Sequence, residues 1–173
     1  PVTTGTFRWS LELVLFLIQS PETSVTFSFL AGGIRLPDPF TLEVVHECRP
    51  DEMRLLLQSG DWWEEYWDDF VLCTIVQHSF SFVVAKDKND RWIGMGRVVS
   101  DGVSDAYLQD IVVLSEWRGN GIGTAIVREL MSICKDAGIG WIGIIAGPET
   151  EYFYRRFGFA RMGGYTPMRY EGV

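Results

Sequence analysis

Cysteine is too scarce here for a disulfide or zinc framework. The 173 residues hold three, Cys48, Cys73 and Cys134, widely spaced and odd in number. They read as buried, reduced thiols of a cytoplasmic protein. Long apolar runs are missing too. The longest, Leu13–Ile18, is far short of the roughly 20 residues that span a bilayer. Glu12 breaks the pattern just before it and no basic stretch precedes it, so neither a membrane partner nor a signal peptide is expected. Basic runs are absent, and 23 acidic residues against 15 Lys and Arg leave a net charge of −8. That balance argues against nucleic acid and would attract cationic amines. Histidine is limited to His46 and His78, in separate segments; a lone histidine is more often structural than catalytic, and no metal-ligand set is expected. Repeats and low-complexity stretches are also missing. What is present, 47% hydrophobic and 14% aromatic residues, is enough for a domain with a sizeable core.

Glycine is plentiful in one place. Residues 117–125 read Trp-Arg-Gly-Asn-Gly-Ile-Gly-Thr-Ala, between an apolar strand pattern (Ala106 to Leu114) and an amphipathic helix pattern (Gly121 to Ala137). A glycine turn that opens a helix presents backbone N–H groups with no partner inside the helix. With the positive end of the helix dipole, they suit a phosphate or pyrophosphate. Alternate glycines let that anion come close, and Arg118 adds a positive charge at the mouth. A P-loop is excluded, because no lysine follows the glycines. The dinucleotide fingerprint also fails: Gly123 comes one residue early, and no acid follows in Ile139–Ile145 to bind a ribose.

The spacing Arg118-x-x-Gly121-x-Gly123 resembles the pyrophosphate loop of the GNAT superfamily of acyl-CoA-dependent N-acyltransferases. A second segment, Phe153-Tyr154-Arg155-Arg156-Phe157-Gly158-Phe159, is similar to the Phe-Tyr-x-x-x-Gly-Phe signature of the same superfamily. Gly158 fits a left-handed helix cap there. The resemblance covers about residues 41–173 and implies an α/β (α+β) GNAT fold. That is a mixed, mostly antiparallel sheet with splayed central strands, flanked by helices. The coarse pattern agrees: strand Thr41–Glu47, helices Arg49–Ser59 and Glu64–Val76, strands Ser81–Lys86, Trp92–Val99 and Ala106–Leu114. A helix, strand Trp141–Ala146, a short helix and a last strand pair through Met168-Arg169-Tyr170 follow.

The resemblance also implies the chemistry, direct acetyl transfer from acetyl-CoA to a primary amine through a tetrahedral intermediate, with no metal. It assigns cofactor binding to Arg118, Gly119, Asn120, Gly121, Ile122, Gly123 and Thr124, and to the backbone of Ile111, Val112 and Val113 beside the pantetheine arm. Val113 N–H is the candidate oxyanion donor. Tyr154 is the candidate acid for the leaving thiolate, or else an amphipathic aromatic that only packs on its helix. Asp110 is the candidate base, or else a carboxylate that pairs with a neighbour or caps a helix. One position departs from the family. Many members carry Asn seven residues before the tyrosine, and this chain has Gly147.

The acceptor is expected to be a small-molecule amine. Residues 59–70, rich in Trp and acids, could supply its site through Glu65 and Asp68, or Trp63, Trp67, Phe70 and Val71 could form a core stripe. Residues 1–40 lie outside the resemblance. Phe7–Ile18 and Val25–Leu30 read as a β-hairpin, serving either as an arm for a homodimer or as an extra sheet edge. An acyl-CoA-binding sensor or scaffold without turnover is the alternative function, and a nucleotide-binding α/β protein is a weaker third.

Overall fold

The computed structural model describes residues 39–172. The hairpin expected at residues 1–40, with its dimer arm, falls almost wholly outside them. Five strands form one sheet in sequence order: β1 (Thr41–Val44), β2 (Ser81–Lys86), β3 (Trp92–Ser100), β4 (Asp105–Val113) and β5 (Trp141–Ile144). The first four pair antiparallel and β5 joins β4 in parallel. Helices α1 (Pro50–Ser59) and α2 (Asp69–Gln77) lie between β1 and β2. Helix α3 (Ile122–Asp136) links β4 to β5, and the short α4 (Glu151–Arg155) follows β5.

All six residues of β2 are buried, so both sheet faces are covered. One cover is α3, through Ile122, Ile126 and Leu130; α1 and α2 contribute Met53, Leu56, Leu57, Leu72 and Val76. Helix α3 sits close because β3 presents Gly94 and Gly96 to it. A Cβ on Gly96 would lie 2.7 Å from Ile126 Cγ2. Gly96→Val is therefore expected to destabilise the fold by about 1–3 kcal/mol through overpacking. Urea unfolding should show a lower midpoint; an unchanged midpoint would mean that α3 is not seated this tightly.

Local chemistry sets the helix ends. Pro50 occupies the first turn of α1, where a missing N–H costs nothing. Helix α2 begins five residues later than the apolar spacing suggests, because Asp68 caps it by accepting from Val71 N–H at 2.9 Å. The Trp63–Phe70 stripe is thus not one helix. Trp63 and Trp67 meet each other edge to face and pack against the core, while Phe70 is exposed.

Two further expectations need correction. No strand forms after α4 among the described residues: Met162, Tyr165, Met168 and Tyr170 are all exposed. Gly164, at φ +82°, and Pro167, with no N–H, interrupt any ladder there. The cysteines are all free, but only Cys134 is fully buried. Cys48 and Cys73, distant in sequence, are neighbours. Burial, then the adjoining Cys73 thiol, pushes the Cys48 thiol up to about 12.

The sheet is irregular where β4 passes β3. Met95 opposes Val112, yet Arg97 opposes Gln109, so β4 carries one extra residue. Asp110 sits in this bulge at φ +53°. Parallel pairing with β5 stops at Leu108–Ile144. Beyond that point the outer edge of β4 has no neighbouring strand among the described residues, and a gap opens.

Candidate functional site

The glycine turn is built by backbone geometry. A 3-10 turn at Ser115–Trp117 delivers the chain to Gly119 and Gly121, at φ +80° and +81°. Non-glycine residues avoid that region. Gly121 is the N-cap of α3 and brings no side-chain cap. Its carbonyl accepts the first helical bond, from Ala125 N–H at 3.0 Å. The N–H groups of Ile122, Gly123 and Thr124 therefore have no partner within α3. They open on a cavity of about 380 Å³ between the turn and α4, with Phe153, Tyr154 and Arg156 on its far wall. Asn120 does not line it. Its amide turns back to Trp117 O at 3.1 Å and holds the turn closed.

Two arginines border this cavity. Arg118 has two of its three nitrogens engaged: Nε with Val113 O at 3.0 Å, Nη2 with Ser59 O at 2.7 Å and Ser59 Oγ at 3.2 Å. It clasps the end of α1 to the end of β4, and because these acceptors are neutral its positive charge stays at the cavity. Arg156 is a second cation, which sequence reasoning missed. Its guanidinium lies over Phe153 (4.6 Å) and Phe157 (5.6 Å), and Nε donates to Phe153 O. It faces the cavity without a carboxylate partner among the described residues. Its place inside the Phe-Tyr-x-x-x-Gly-Phe signature was the available signal.

The gap beside β4 exposes main-chain groups. Leu114 N–H donates to Ile93 O at 3.0 Å, and Val112 is paired with Met95 on that same side. Strand alternation turns Val113 the other way, toward the gap. Its carbonyl receives Arg118 and its N–H faces open space. Val112 is thus removed from the expected set: its backbone serves β3 and its side chain is buried. Ile111 borders the gap and lines both cavities.

The second cavity, about 300 Å³, lies across Tyr154 from the first. Tyr154, Ile111 and Thr150 line both, so the two form one cleft with the phenol between them. Burial holds the Tyr154 phenol above its ordinary value near 10. Its ring is fixed edge to face by Phe153 and Phe159. Asp110 lines the second cavity, where its Oδ2 accepts from Arg97 Nε at 2.5 Å. The second guanidinium arm bonds Gln109 Oε1 at 2.9 Å. No donor among the described residues reaches Asp110 Oδ1. Gly147 also lines this cavity, and its carbonyl accepts from Thr150 N–H and Oγ1. Trp62 lies within the 59–70 segment expected to supply the acceptor site, whereas Thr150 was missed by the sequence reading, in a loop where no periodicity marks it.

Other candidates fall away. Glu65 and Asp68 line neither cavity, and Asp68 is occupied as the α2 cap. His46 and His78 line neither, and His78 ends α2. No described helix is long and apolar enough to cross a membrane.

Known proteins resemble this arrangement. The profile of the Acetyltransferase (GNAT) family matches residues 42–159, more than half of the chain. An uncharacterized N-acetyltransferase of Pyropia yezoensis is 30% identical over 81 residues, 47% of this chain and 47% of that protein. A chloroplastic GCN5-related N-acetyltransferase of Arabidopsis thaliana is 34% identical over 74 residues, 43% of this chain and 29% of that one. The matches thus span half or less of these relatives. A GNAT-family acetyltransferase structure from Streptococcus pneumoniae superposes with a TM-score of 0.62 at 24% identity, over 77% of this chain and 98% of that one. That likeness speaks for the fold, and the profile match for the family: the chain belongs to the GNAT family of acetyltransferases.

Proposed function

We propose that this protein transfers an acetyl group from acetyl-CoA to a primary amine, with a small molecule as acceptor. One observation carries the reading: N–H groups without a helical partner, an open strand edge and a half-buried phenol share one cleft, in that order. The residues fit the cofactor. The first turn of α3 and Arg156 suit the pyrophosphate, Val113 N–H beside Ile111 suits the pantetheine arm, and the thioester end would reach Tyr154. Acetyl-CoA supplies an activated acyl group.

Each side chain then has a task. Val113 N–H, on the open edge of β4, donates to the oxygen where negative charge develops. Tyr154 keeps its proton through the neutral range, since burial raises its phenol, and gives it to the departing thiolate. Asp110 is anchored by Arg97 and offers its second oxygen to the incoming ammonium, whose proton leaves directly or through water. The compartment follows from nothing in the cleft. The Arabidopsis relative's chloroplastic name makes a plastid as reasonable a setting as the cytoplasm.

Calorimetric titration with acetyl-CoA, then thiol release against a panel of amines, tests the reading. Binding with turnover supports it. Binding without turnover on any amine favours a sensor, and no binding refutes it. Arg156→Gln is expected to weaken acetyl-CoA binding about fivefold, the loss of one charge-assisted contact, and to flatten its salt dependence. Equal affinity for the variant would leave the pyrophosphate to Arg118 and the N–H row.

A further inference from the structure

We infer that the acceptor is an arylalkylamine, an amine carried on a flat aromatic body by a short arm. This rests on the acetyl-transfer reading and names the substrate class of its second cavity. That cavity is walled by Trp62, Tyr107 and Ile144, and carries one carboxylate, Asp110.

The aromatic walls are built into the backbone. Gly60 ends α1 with ordinary right-handed geometry, so its lack of a side chain serves space rather than conformation. A Cβ there would stand 2.8 Å from Trp62 Cε3. The indole therefore lies flat on the glycine. Gly143 repeats the device on β5: a Cβ would stand 2.5 Å from Trp141 Cη2 and 3.3 Å from Tyr107 Cε1. Tyr107 and Trp141 pack edge to face at 5.1 Å, which braces the Tyr107 ring. Two glycines thus each make room for a ring. Rings held in place lose little freedom when a flat ligand arrives.

Charge narrows the class. Among the described residues the lining includes no Lys or Arg, so no cation there favours a phosphate or carboxylate. Asp110 Oδ2 is already bonded to Arg97, which leaves one oxygen for one ammonium. One carboxylate matches an acceptor with a single amine, whereas a polyamine would leave its further ammonium groups without an acidic partner in the lining. The nearby Arg97 also disfavours a protonated amine, and the neutral amine is the nucleophile. A volume of about 300 Å³ holds one ring system with a short arm.

The test measures both turnover with acetyl-CoA and equilibrium binding, using phenethylamine and tryptamine against spermidine, glucosamine 6-phosphate and a lysine peptide. The arylalkylamines should exceed the others at least about tenfold in kcat/KM. Trp62→Ala should raise their KM about tenfold and leave acetyl-CoA affinity unchanged, while Trp62→Phe should keep the wild-type KM. Turnover that favours spermidine, the sugar phosphate or the peptide overturns the class and leaves acetyl transfer standing. So does an unchanged KM in Trp62→Ala. Arylalkylamine binding in a protein that does not bind acetyl-CoA would do the reverse.

Discussion

Replacing Tyr154 with phenylalanine is expected to lower kcat about a hundredfold, with acetyl-CoA affinity and thermal stability nearly unchanged. The ring would keep its packing against Phe153 and Phe159, so only the proton donor is lost. A positioned acid contributes about 10²–10⁴-fold, and water reaching the thiolate would recover part of that; hence the low end. The pH profile gives a second check. The Tyr154 phenol is raised above about 10 by burial, so its proton is present at every lower pH. The wild-type rate should climb with pH as the acceptor amine loses its proton, and no descending limb should appear below pH 10. The variant should show the same climb from a lower level. A kcat within threefold of wild type would assign Tyr154 to packing alone.

Gly121→Val should weaken acetyl-CoA binding about thirtyfold. Gly121 caps α3 at φ +81°, where an L-residue costs about 1–2 kcal/mol and a β-branched one lies at the upper end. The substituted turn would relax elsewhere and disperse the N–H row of Ile122, Gly123 and Thr124. Binding must then restore the strained form, and about 2 kcal/mol corresponds to the stated factor. No atom lies within 4 Å of the Cβ position, so the effect is conformational rather than a clash inside the fold. Calorimetry measures it directly. A variant that binds as wild type would detach the turn from the cofactor.

The glycine turn and the Phe153–Phe159 signature were legible because each is local: glycine spacing dictates a turn wherever the chain goes next. The element order was legible for the same reason, from β1 through α4. What could not be read depends on register. The extra residue at Asp110 decides which β4 residues face the gap, and it arises from pairing with β3, not from the β4 sequence. Val112 was therefore included with Val113 although their backbones point opposite ways. The arginines show a second limit. Arg118 reaches a residue 59 positions away, at Ser59, so its partner is invisible to spacing. Arg156, two positions past Tyr154, brings a second cation to the cavity. Trp62 was within the segment flagged for the acceptor, but the companions assumed for it, Glu65 and Asp68, face elsewhere.

The gap beside β4 has an evolutionary consequence. Much of the cofactor's grip would come from amide hydrogens, at Val113 and along residues 122–124, while the acceptor meets side chains. A codon change alters a side chain and leaves the amide, unless the new residue is proline. The two halves of the cleft are therefore unequal targets for mutation. Trp62, Tyr107 and Ile144 can be exchanged one at a time to redirect the enzyme among amines, while the donor side keeps its hold on a single acyl carrier.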